Sequence, residues 1–104
     1  MNVDWNNIKQ QVVELATEIL GKYETQVLSD FNDFKKSVEA DIEEWVTAYA
    51  AGDLKKDELE DLVLGEKDLL TLHALKQKGL GKVALDQFTA GVFSILTKAV
   101  TSLI

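Results

Sequence analysis

The chain has 104 residues, a net charge of −7, and neither cysteine nor proline. A chain of this length is expected to fold as one domain, here residues 1–104, and the lack of cysteine excludes disulfides and thiolate metal sites. All eleven basic residues are lysines, and this acidic, arginine-free composition argues against binding to nucleic acid. The N-terminal segment has no signal-peptide pattern, and cysteine-free composition fits a reducing compartment, so we predict a cytoplasmic protein.

An apolar stripe at helical spacing runs through the first half of the chain. Its positions follow one another at steps of three or four residues, which places them on one face of a helix. The stripe consists of Trp5, Ile8, Val12, Leu15, Ile19, Tyr23, Val27, Phe31, Phe34, Val38, Ile42, Trp45 and Tyr49. The pattern predicts one helix over residues 4–50, roughly 70 Å long at 1.5 Å per residue. Gly21 lies inside it, but the stripe keeps its phase there, so we predict a weak point and no break.

The rest of the chain is also predicted to be helical. Gly52 ends the first helix, and a short acidic helix follows over residues 54–64. A long third helix over residues 66–103 is predicted to kink where glycines flank Leu80. The predicted fold class is therefore all-α: a long helical hairpin that pairs into a helical bundle.

The C-terminal helix is apolar on most of its circumference, and such a helix is normally buried on most sides. A two-helix hairpin leaves part of that surface open. Pairing of two hairpins into a four-helix bundle would cover it, and twofold dimers are the commonest oligomers. We therefore predict a homodimer whose interface comprises Phe88, Val92, Ile95, Leu96 and Ala99.

Candidate chemical groups are few. His73 is the only histidine, and the residues one helical turn away from it are leucine, lysine and glutamine, none of which supports a metal site. The acidic stretch 53–68 does not have the ligand and glycine positions of a calcium-binding loop. No catalytic, metal or cofactor-binding residue is predicted, and the chain is not expected to be an enzyme.

Three functions fit these observations. The first is a noncatalytic helical interaction or assembly protein that associates with itself or with an unidentified protein partner. The alternative is peripheral association with a membrane surface through the amphipathic C-terminal helix. The second alternative is a binder of a small ligand in the core of the bundle.

The length, acidity and helical content resemble those of the small secreted helical hairpins whose two helices are joined by a Trp-x-Gly turn. The nearest such residues here, Trp45 and Gly52, are seven positions apart. The resemblance is therefore one of architecture, and it implies a helical hairpin without implying a function.

Overall fold

The computed structural model describes residues 3–103, and all regular structure in that range is helical, which confirms the predicted all-α class. The elements are α1 (Trp5–Leu20), α2 (Glu24–Ala50), α3 (Lys56–Leu64), a 3-10 turn (Lys67–Leu69), α4 (His73–Lys76) and α5 (Lys82–Thr101).

Helices α1, α2, α3 and α5 form an antiparallel bundle within this single chain. Helices α1 and α3 each contact both α2 and α5. The start of α1 meets the second half of α2, where the Trp5 indole N–H donates a hydrogen bond to Glu43 Oε1 at 3.1 Å. Leu15 lies against Gly91, and Asn7 near the start of α1 lines a pocket with Ser102 at the end of α5, so α5 also runs antiparallel to α1. The bundle measures 43 × 21 × 21 Å, with α2 as its longest helix.

The prediction of one continuous helix over residues 4–50 is wrong, because the chain reverses direction between Gly21 and Tyr23. Gly21 has a φ of 84° and donates its backbone N–H to the Thr17 carbonyl, which closes α1. Tyr23 also has a positive φ, 81°, immediately before α2. An added Cβ at Gly21 would meet nothing within 4 Å, so this glycine is needed for its backbone conformation and not for space.

The predicted long helix over residues 66–103 is wrong in its first half. Residues 65–81 form the 3-10 turn, the short α4 and the connections between them. Leu72 has a φ of 55° and Gly79 a φ of 73°, so no right-handed helix can continue through either residue. The expected kink near Gly79–Gly81 is a full break, and α5 begins at Lys82.

The short acidic helix is found close to its predicted position, as α3. The Lys55 backbone N–H donates to Glu58 Oε1 at 2.9 Å, which stabilises the first turn. Asp57 and Glu58 carry negative charge at the N-terminal end of the helix dipole, where it is favourable. Leu59 and Val63 turn into the core.

The core takes residues from all four bundle helices. At its centre the Phe34 and Phe93 rings meet edge to face with centroids 5.4 Å apart, and Phe31 lies beside Phe34 at 6.2 Å. Such pairs add to the stabilisation from apolar burial. The stripe predicted on the first half of the chain supplies much of this core, because α1 and α2 turn their apolar faces toward each other.

The predicted dimer interface lies largely inside this core. Phe88 is 2% exposed, and Val92 and Leu96 are fully buried. Ile95 and Ala99 are partly buried and pack against the core. This fold therefore does not present the first three side chains to a second copy, because α1 folds back and covers α5 within the chain.

Candidate functional site

A surface groove of about 390 Å³ lies between α3 and the outer side of α5. We call it the α3–α5 groove. Its lining residues are Lys56, Glu60, Leu64, Lys67, Ala90, Phe93, Ser94, Thr97, Lys98 and Thr101.

The groove follows from the lengths and spacings of its two helices. Helix α3 has nine residues and α5 has twenty, so α3 covers less than half of the length of α5. Along α3, Lys56, Glu60 and Leu64 recur every four residues and share the flank toward α5. Most residues that α5 contributes to the groove are small, such as Ala90 and Ser94, so their side chains do not fill the space beside α3.

The groove combines apolar surface with positive charge. Phe93 lies under it and is 1% exposed, whereas Leu64 beside it is 41% exposed. Lys56, Lys67 and Lys98 line it, against one acid, Glu60. The lining is therefore positive in a chain whose net charge is −7, and it would attract a negatively charged surface.

A row of acids lies beside the groove on the same helix. Asp57 and Asp61 are both exposed and are four residues apart, so they occupy one face of α3. At 100° per residue, that face is adjacent to the flank that carries Leu64. Helix α3 thus presents negative charge next to the lysines of the groove.

Three exposed leucines lie close together in sequence, and one of them, Leu64, lines the groove. Leu62, Leu64 and Leu69 are 37%, 41% and 43% exposed. They lie in the segment that runs from the last turn of α3 into the 3-10 turn. Leu62 and Leu64 are two residues apart on α3 and therefore point in nearly opposite directions, so only Leu64 adds apolar surface to the groove.

One polar atom in the groove wall has no partner. The Thr97 hydroxyl oxygen is buried and makes no hydrogen bond to any residue in the range 3–103. The neighbouring Thr101 hydroxyl behaves differently and donates to the Thr97 carbonyl at 2.8 Å. A buried hydroxyl without a partner lowers stability.

The histidine and the acidic residues that were considered as metal ligands do not form a site. His73 is exposed at the first position of α4. Within residues 3–103, no three His, Cys, Asp or Glu side chains are close enough to hold a metal ion.

Asp30 is the one buried acidic residue in the described range, and its role was not predicted from the sequence. Its two carboxylate oxygens accept hydrogen bonds from the backbone N–H groups of Ala74, at 2.8 Å, and Leu75, at 3.0 Å. This pairing fixes the connection before α5 onto α2. The signal available in the sequence was an aspartate at the edge of the apolar arc that Val27, Phe31 and Phe34 define.

Helix α5 is long and apolar enough to cross a membrane, as judged by length and composition alone. The core helix of a water-soluble bundle meets the same criterion, and α5 packs here against α1 and α3. Comparisons of the chain with protein families, with curated proteins and with solved structures give no match.

Proposed function

We propose that this chain is a noncatalytic helical interaction or assembly protein that acts in the cytoplasm. The observation that carries the proposal is the α3–α5 groove, in which the 41% exposed side chain of Leu64 lies beside three lysines. Apolar surface of this kind gains free energy when a protein partner covers it, at about 25 cal/mol per Å² buried. We refer to Leu64, the adjoining α3–α5 groove and the acid row beside it as the α3 corner.

Self-association remains part of the proposal, but through a different surface from the one first predicted. The apolar face of α5 is occupied by α1 and α3, so a dimer of this fold would use exposed residues. The α3 corner offers both apolar and charged groups for that contact.

Site-specific photo-crosslinking in cells that naturally make the chain tests the proposal. A photoreactive residue would replace Leu64 in the α3 corner, with Gln10 on α1 and Lys36 on α2 as exposed control positions. We expect an adduct of discrete mass from position 64 and none from the controls. An adduct near twice 11.6 kDa indicates self-association, and any other discrete mass indicates a different partner. The absence of an adduct from position 64 would refute the proposal.

Association of α5 with a membrane is the second candidate, because α5 has the necessary length and apolar content. Its buried residues, among them Phe88, Val92 and Leu96, would then have to leave the core. Flotation with anionic vesicles separates the two candidates. Chain that floats with the vesicles and gains fast hydrogen exchange in α1 and α3, which lose their contacts with α5, while α5 stays protected, supports the membrane function. Chain that stays in the dense fraction supports the protein interaction.

A further inference from the structure

We propose that the occupant of the α3–α5 groove is a second copy of this chain, joined in a twofold dimer through α3. The acid row of each α3, Asp57 and Asp61, would lie against the lysines of the partner's groove, and Leu64 of each copy would lie near the start of the other α3. This inference rests on the proposed interaction function and specifies its partner.

The first argument is that the α3 corner is self-complementary in charge. A twofold interface uses the same patch on both subunits, so that patch must carry both members of every attractive pair. Asp57 and Asp61 supply the acids, and Lys56, Lys67 and Lys98 supply the cations. When one patch is turned over onto another, each acid row can meet a lysine-lined groove.

The second argument is that the acid row selects against other charged occupants. An acidic helix from another protein would be attracted by Lys98 but repelled by Asp57 and Asp61, which lie on the adjacent face of α3. A basic helix would meet the opposite conflict at the lysines. A partner that carries both acids and lysines can pair its acids with the lysines of the groove and its lysines with the acid row beside the groove. A second copy of this chain carries both.

The third argument is the apolar surface that the contact would cover. Leu64 lines the groove and is 41% exposed. In an antiparallel pairing of two α3 helices, Leu64 of each copy would approach the start of the other α3. The methylene stems of Lys56 would add apolar contact there.

Light scattering after size exclusion, over a dilution series of the full chain, is the test. We expect a mass near twice 11.6 kDa at high concentration, which falls toward the monomer mass on dilution and at high salt. Charge reversal by Lys98→Glu or by Asp61→Lys should each weaken the dimer by at least roughly tenfold, because the twofold axis doubles the loss of every pair. Circular dichroism checks that each variant remains folded.

The decisive variant combines the two reversals. Lys98→Glu together with Asp61→Lys exchanges the signs of the pair and should restore the dimer to within about threefold of the original dissociation constant. Lys36→Glu on the exposed side of α2 is the matched control and should leave the dimer unchanged.

Two results would overturn the inference. One is a chain that stays monomeric at every concentration. The other is a dimer that Lys98→Glu and Lys36→Glu weaken equally, or that the double reversal does not restore. A monomer that still gives a position-64 adduct of different mass in cells would remove the second copy as the occupant and leave the interaction function standing. A chain without any adduct from position 64 would remove both.

Discussion

Replacement of Asp30 by alanine should be among the most destabilising single changes in the molecule. The Asp30 carboxylate accepts hydrogen bonds from the N–H groups of Ala74 and Leu75, which are 44 and 45 residues away in sequence. A hydrogen bond to a charged acceptor contributes about 1.5–3 kcal/mol. Water can reach the part-buried Ala74 amide after the substitution, but it reaches the buried Leu75 amide less easily. We therefore expect Asp30→Ala to lower the free energy of unfolding by about 3–4 kcal/mol.

Urea unfolding followed by tryptophan fluorescence measures this loss, with Asp33→Ala as the control because Asp33 is exposed on the same helix. Asp30→Asn should lose about half as much, since its single amide oxygen can serve only one of the two N–H groups in the same geometry. Hydrogen exchange of the Leu75 amide should accelerate in Asp30→Ala even where the rest of the bundle stays protected. Equal stability of Asp30→Ala and Asp33→Ala, or an unchanged Leu75 amide, would refute the assigned role of Asp30.

Three further substitutions test the packing and the turns. A Cβ at Gly91 would lie 2.5 Å from Leu15 Cδ2, so Gly91→Ala should destabilise the native chain by about 1 kcal/mol. In a Leu15→Ala background the same substitution should stabilise the chain by about as much, because the clash is gone and alanine favours the helix. A double-mutant cycle of urea unfolding measures both effects. Additive effects would contradict that contact. Thr97→Val removes a buried hydroxyl without a partner and should raise the free energy of unfolding by about 1 kcal/mol in the same assay. A loss of stability would mean that this hydroxyl makes a hydrogen bond in solution. Gly21→Ala should lower the free energy of unfolding by about 1–2 kcal/mol through the positive φ alone. Gly52→Ala should have the same effect, because Gly52 has the same φ of 84° and a Cβ there would also meet nothing within 4 Å. A clear difference between the two variants in thermal unfolding would indicate a contact at one of the two positions.

The helical content and most of the core could be predicted from the sequence, because both depend on spacing along a helix. Val12, Val27 and Val38 were placed on the apolar stripe, and all three are buried. The direction of the chain could not be read from the same pattern. When two consecutive helices fold onto each other, both apolar faces point into one core, so a stripe can keep its phase across a reversal. Gly21 was visible, but glycine within a helix and glycine at its end look alike in one sequence.

The segment between α3 and α5 could not be predicted for a different reason. Its shape depends on contacts between residues distant in sequence, above all on the pairing of Asp30 with Ala74 and Leu75. Leu72 adopts a φ of 55°, which a leucine rarely does, and it is 4% exposed. Burial of this side chain offsets the backbone strain. Local propensity favours a helix there, and the tertiary contacts override it.

The reversal at Gly21 also changes where a partner could bind. A straight helix of roughly 70 Å leaves the face of α5 with Phe88, Val92 and Leu96 uncovered, and a second chain is then needed to bury it. With α1 folded back, one chain supplies four helices and buries that face by itself. One surface that remains incompletely covered lies along α3, since nine residues cannot span the twenty residues of α5. The lengths of the helices, and not the overall apolar content, therefore leave open the groove beside Leu64, where we propose that a second copy binds.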